Sequence, residues 1–268
     1  MYWIYDLPTW QLGAGIVLLF LAFSLAGLIA LRGRIYSTFR ISENTNEPIS
    51  AIFAGVGMLY GLLLGLVAVA AWQNFDNVGS LASKEAASIA ALYRDISTLK
   101  EPTKHLLQNY LADYLDYVIN VEWPLHRHGE TPNDGAVILT GFYGTLSGYQ
   151  PDSISQQILL SESVTAFNHL IELRRARMDS VDVGIPAVFW VVILAGAVLI
   201  IPSIYFFHLP SMRTHLALTA MFSIFMGFMV FLMAAVDNPL RGEVSIAPDS
   251  YQAILNSLKS YDPVRANQ

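Results

Sequence analysis

Cysteine is absent from the 268 residues. That excludes disulfides, thiolate metal sites and cysteine nucleophiles. Charge is scarce as well, at 13% of residues, and what there is sums to −6. A chain short of basic residues cannot present the positive face that phosphate backbones require, so nucleic acid is not expected as a partner. No glycine-rich phosphate loop, G-x-S-x-G elbow or H-E-x-x-H pair occurs, and no useful run alternates with the period of a strand. Nothing in these absences points to an enzyme or to a bound cofactor.

What is abundant is apolar side chain, 54% of the total, too much for an ordinary soluble domain. It falls in four blocks, two toward each end, around a polar middle. The expected organisation is an all-α membrane protein with four transmembrane helices and a helical soluble domain between the second and third. The boundaries are 1–77 for an N-terminal membrane hairpin, 78–183 for the soluble domain, 184–236 for a second hairpin and 237–268 for a tail. The first hairpin has spans at about 11–31 and 49–71. The first apolar block lacks a basic leader and a small-residue cleavage site and is expected to be retained. Tyr2, Trp3, Tyr5 and Trp10 before it suit a headgroup layer.

The second block organises the rest. From Ile49 to Ala71 no charge interrupts it, long enough for one crossing. Gly57, Gly61 and Gly65 recur every four residues, a stripe that lets another backbone approach closely. One residue on, rotated by about 100°, lie Ala54, Met58 and Leu62. A packed membrane helix and the lining of an oligomeric pore both suit this spacing. The helix leaves the bilayer through Trp72, Gln73, Asn74, Phe75, Asp76 and Asn77. Those amides and that carboxylate either cap and brace helices or line a wet vestibule.

The middle reads as helices. One stripe runs from Val78 to Ile96, a second from Leu107 to Val121 stopped by Glu122-Trp123-Pro124, and a short piece covers Ile138–Leu146. A long helix follows from the N-cap Ser153 to Met178 and ends in the basic cluster Arg174, Arg175 and Arg177. Glu122, His126, His128 and Glu130 lie in a segment whose Pro124 and Gly129 favour a solvated or capping loop over a metal site. No metal is expected there, and a metalloenzyme built on His126 and His128 is the weakest reading. His105 and His169 sit on amphipathic helices as surface or packing residues. Asp182 and Asp237 adjoin span ends and suit bonding of helix termini more than binding of ions. The expected third span runs from Ile185 to Phe207 with a kink at Pro202, and the fourth from His215 to Val236. The tail opens with the turn Asp237, Asn238, Pro239, Leu240, Arg241, Gly242, Glu243 and then a short helix from Pro248 to Leu258. Positive charge does not orient the chain. Lys84, Arg174, Arg175, Arg177 and Arg241 on one side balance Arg32, Arg34, Arg40 and Arg213 on the other.

The pattern resembles the bestrophin channels, and over nearly its whole length the bestrophin-like family of bacterial membrane proteins. The likeness is carried by Tyr60-Gly61-Leu62-Leu63 followed by the Trp72–Asn77 exit, by Ile185-Pro186-Ala187-Val188-Phe189, and by Asn238-Pro239 with Gly242-Glu243. Leu7-Pro8, Glu85-Ala86, Tyr93-Arg94-Asp95 and Glu122-Trp123-Pro124 match the bacterial family. The resemblance implies a homopentamer in the bacterial inner membrane, in contact with lipid, passing inorganic ions, with the helical domain in the cytoplasm. It places a pore neck on Ala54, Met58 and Leu62. Calcium activation in bestrophins uses an acidic run after this turn. Val244-Ser245-Ile246-Ala247 stand there instead, too few carboxylates for a calcium ion. Residues 73–183 hold fourteen acidic and eight basic side chains, which favours cations slightly. The alternative is a non-conducting scaffold or sensor whose helical domain recruits a partner.

Overall fold

The computed structural model describes residues 3–261, all of whose regular structure is helical. Tyr2 and the side chains of Trp3 and Asp182 lie outside what is described. Nine α-helices carry the fold among these residues: α1 Thr9–Phe39, α2 Asn46–Ile96, α3 Thr103–Tyr117, α4 Trp123–Arg127, α5 Asp134–Ser147, α6 Ile154–Asp179, α7 Ala187–Ser203, α8 Met212–Val236 and α9 Asp249–Tyr261. Four elements, containing α1, α2, α7 and α8, are long and apolar enough to cross a membrane.

Several helices outrun the expected limits. Arg32, Gly33 and Arg34 do not end α1, which continues to Phe39 and stops only where Arg40 takes a left-handed conformation, φ 48°. Arginine is a good helix former, and leaving hydrocarbon does not require leaving the helix. The same reasoning explains α2. The polar exit at Trp72–Asn77 contains no proline, so one helix of 51 residues runs through the apolar and amphipathic stretches alike, about 75 Å long at 1.5 Å per residue. Pro202, by contrast, lies in the last turn of α7, and a 3₁₀ turn at Ile204–Phe206 follows it.

The chain divides into two compact units. One comprises the residues through Asn74, Gly184–Asn238 and Gly242–Val244. Its core holds Phe20 and Leu28 of α1, Tyr60, Leu64 and Val67 of α2, Ile193, Ala197 and Ile200 of α7, and Met226, Val230 and Met233 of α8. Between 17% and 33% of each apolar window is buried within the chain. Most of the greasy surface therefore needs lipid or other protein to cover it. Polar groups knit the buried seams. Ser223 donates to Ser24 Oγ at 2.6 Å, and Tyr205 donates to the Ser24 carbonyl at 2.7 Å, the kind of bond that holds helices together where hydrophobicity cannot. At one end of the spans the Asn46 amide donates to His208 O and accepts from His208 N, at 3.0 and 2.7 Å.

The second unit comprises Phe75–Val183, Pro239–Arg241 and the residues from Ser245 onward. Its core joins Ala82, Ala86, Ile89, Leu92 and Ile96 of α2 to Leu111 and Tyr114 of α3, Phe142 of α5, Phe167 and Leu170 of α6 and Tyr251 of α9. Ser153 caps α6, accepting from the Gln156 amide at 3.2 Å. Glu122-Trp123-Pro124 does not stop the helix as expected. A π-helical turn at Val118–Glu122 leads into α4, with Pro124 tolerated in its first turn.

Close helix approach in the first unit hinges on Gly196. A Cβ there would lie 2.2 Å from the Tyr60 ring, whose hydroxyl donates to Ile193 O at 2.7 Å. Gly196→Ala should therefore force α2 and α7 apart. The expected cost is about 1–3 kcal/mol, checked by the thermal midpoint of the detergent-solubilised protein.

Candidate functional site

Two faces of α2 differ sharply within the first unit. Tyr60, Leu64, Val67 and Ala71 recur at helical spacing and are buried. The row Ala54, Met58 and Leu62 lies on other ground. Met58 is 70% and Leu62 61% exposed, and Ala54 is exposed too. The glycine stripe is only partly covered within the chain. A Cβ on Gly61 or Gly65 would meet nothing within 4 Å, and one on Gly57 only the Ile200 Cδ1 at 3.7 Å. Among the described residues, Gly61 and Gly65 thus have open space over them, while Gly57 lies against α7. In the exit, Trp72, Gln73, Asp76 and Asn77 are exposed and Asn74 and Phe75 half-buried.

The turn after α8 does structural work with its carboxylates. Asp237 accepts from the Ile185 amide, from the Tyr5 hydroxyl at 2.7 Å and from Asn238 Nδ2 at 3.2 Å. It thereby meets an orphan donor just before α7. Glu243 accepts from the amide of Thr9, the first residue of α1, at 2.7 Å. Pro8 before it offers no side-chain cap. That bond holds the Glu243 carboxyl below its usual pKa. Gly242, at φ 78°, lets the turn pass the Tyr5 carbonyl, which a Cβ would approach to 3.2 Å. Pro239 falls in the second unit, where its carbonyl accepts from Ile246 N at 2.9 Å.

The second unit contains a charge cluster that the sequence reading placed on a surface. Arg177, expected in a basic patch near the membrane, is 0% exposed. Its Nε donates to Glu85 Oε2 at 2.7 Å, and its Nη2 donates to Glu85 Oε1 at 3.3 Å and to Glu122 Oε1. Arg174 donates to Glu122 Oε2 at 3.3 Å. Tyr114 donates to Glu85 at 2.6 Å. The guanidinium lies 5.5 Å from the Trp123 ring centroid and 5.8 Å from that of Tyr251, within cation–π range. Two carboxylates and two guanidiniums balance, so no net charge is stranded.

This overturns the expectation of a solvated loop at Glu122 and His126, both of which are fully buried. The π-turn carries the helix on into α4 instead of ending it, so Glu122 and His126 stay on helical segments packed into the core. His126 Nδ1 lies 3.4 Å from Arg177 Nη1. An arginine can only donate, so Nδ1 accepts and the imidazole proton sits on Nε2. With Arg177 at the centre, the position on which Glu122 and His126 converge is already held by a cation. Among the described residues no three His, Asp or Glu side chains form a metal's donor set. Burial, then Arg177, pushes His126 down to about 3. Burial and Glu85 push Tyr114 well up. Burial opposes the charge on Arg177, but Glu85 and its neighbours hold its pKa well above the ordinary arginine value.

The signal for this cluster was in the stripes. Glu85 falls seven residues after Val78 and three after Ala82, Glu122 seven after Leu115, and Arg177 seven after Leu170. Each charge occupies a position of an apolar face.

The four apolar helices and all-helical fold define a multi-pass helical membrane protein. A comparison with curated proteins gives no match by sequence. A family model, the bestrophin-like domain, matches residues 18–251, and the chain belongs to that family. Solved structures agree in fold. A bacterial bestrophin homolog from Klebsiella pneumoniae matches at TM-score 0.66 and 15% identity, over 92% of this chain and 97% of that one. A mutant of a bestrophin homolog from the same organism matches at TM-score 0.64 and 15% identity, over 92% and 98%. A crystal structure described as a membrane protein matches at 0.67 and 14% identity, over 92% and 97%.

Two outcomes check the buried cluster. Glu85→Gln leaves a buried guanidinium short of one counter-charge and should lower stability by about 3–5 kcal/mol, read by thermal unfolding. His126 is neutral when folded but takes a proton below about 6.5 when unfolded. Its contribution is therefore complete above that pH and is lost as pH falls toward about 3. Between pH 7 and pH 5 the loss is about 2 kcal/mol. His126→Gln should flatten that part of the stability profile.

Proposed function

We propose that the chain is one subunit of an oligomeric ion channel, pentameric by analogy with bestrophins, whose α2 helices ring a central axis. The observation that carries this reading is the divided surface of α2. One face is buried inside the chain, while the Ala54, Met58, Leu62 row is exposed and Gly61 and Gly65 beside it have open space over them. A ring of such helices supplies what both faces lack. Glycines admit the neighbouring backbone, and the exposed row forms an apolar neck that conducts only when wetted. The helical residues between the second and third spans form the soluble domain, on the cytoplasmic side of the inner membrane, with Trp72–Asn77 at the mouth of its vestibule. The excess of acid in residues 73–183 favours cations. Asp237 and Glu243 are engaged at helix starts, and the residues after them are not acidic, which argues for gating without calcium.

Planar-bilayer recording of the purified protein tests this. The wild type should conduct, with cations preferred over anions. Met58→Lys should shift the reversal potential toward anions, changing the permeability ratio several-fold, and Met58→Ala should raise unitary conductance. Silence of the wild type and of Met58→Ala in correctly assembled oligomers would favour the scaffold reading and end the channel one.

A further inference from the structure

A cleft of about 680 Å³ opens between the C-terminal end of α2, the first turns of α3 and the end of α9. That is within the usual range for small-molecule sites. Its apolar wall is Ala90, Tyr93 and Leu258, and its polar groups include Arg94, Lys104, His105 and Gln108 around a single acid, Glu101. The bias runs against the surroundings, since residues 73–183 carry fourteen acidic and only eight basic side chains.

The acid is already committed. Glu101 Oε1 accepts from Lys104 Nζ at 2.6 Å, and Oε2 accepts from the His105 amide at 3.3 Å. Lys104 shares that pair, with two further N–H donors left over, and the other bases are less engaged. Arg94 faces Asp95 at 3.9 Å with its own side chain 80% exposed, a contact worth little. His105 Nδ1 pairs with Asn109 Nδ2 at 3.1 Å. The Asn109 Nδ2 group donates in this arrangement, which leaves His105 Nε2 to carry the imidazole proton. The cleft thus offers a guanidinium, an ammonium, an imidazole N–H and a carboxamide beside an aromatic wall. Such a set recognises oxyanions and has nothing left for a cation.

We infer that this cleft is a binding site for a metabolite-sized organic oxyanion, a phosphate or carboxylate carried on a body that packs on Tyr93 and Leu258, with Arg94 and Lys104 holding the charge. Tyr93 and Arg94 lie in the last turn of α2, the helix that also bears Met58. An anion drawn to Arg94 therefore acts on the end of the proposed pore helix and serves as an effector of conduction. This coupling rests on the channel reading; the binding site does not.

Calorimetric titration of the full-length oligomer in lipid nanodiscs tests it, with AMP, citrate and inorganic phosphate as probes. AMP or citrate should bind saturably, once per chain, with inorganic phosphate at least tenfold weaker for want of a body. Tighter binding of AMP assigns the natural group as a phosphate, and tighter binding of citrate as a carboxylate. The double variant Arg94→Gln, Lys104→Gln should bind more than tenfold more weakly with an unchanged ligand-free thermal midpoint. No saturable binding of AMP or citrate, or undiminished binding by the variant, overturns the site. In bilayers the bound probe should change open probability several-fold in the wild type and not in the variant. A conducting channel indifferent to the bound probe overturns the coupling. Calorimetric binding to a silent oligomer upholds the site and rejects the channel.

Discussion

Arg177 is a full positive charge with no access to water, and that is affordable only because Glu85 and Glu122 meet it from two other elements. An isolated guanidinium in such a place would cost several kcal/mol or more. Its partners must therefore arrive together. Glu85 comes from α2, Glu122 from the π-turn after α3, Tyr114 from α3, His126 from α4, and the aromatic covers from Trp123 and Tyr251. One guanidinium thus dictates the mutual placement of most helices in the second unit. A hydrophobic core tolerates small slides of one helix on another, whereas charge-assisted hydrogen bonds of this geometry do not.

The same constraint gives α2 a fixed far end. This helix carries the exposed Met58 row in one compact unit and Glu85 in the other, with no proline or break between them. Its remaining surfaces divide by solvent. Tyr60, Leu64 and Val67 are buried in a core shared with α7 and α8, while Met58, Leu62 and Gly61 are exposed among the described residues. Asp237 and Glu243 complete the picture at the other helix starts, supplying acceptors to Ile185 and Thr9 where the preceding residues offer none.

Much of this was legible in the residues. The four apolar blocks, the absence of strand periodicity, the Ser153 cap and the likeness to bestrophins all rest on local pattern. Helix ends were less legible. The Arg32-Gly33-Arg34 group and the Trp72–Asn77 exit mark a change of solvent, and neither breaks a helix. The π-turn escaped because it inserts one residue without changing composition, and with it went the helical continuation through Pro124 that buries His126.

Sequence alone determined the class. In hydrocarbon every backbone amide needs a partner in its own segment, so long uncharged runs become helices whatever they pack against. Tertiary structure decided what the charges do. The burial of Arg174, Arg177, Glu85 and Glu122 depends on partners 29 to 92 residues apart along the chain. A charged side chain reads the same in a sequence whether it faces water or a counter-ion, because only the fold sets the dielectric around it.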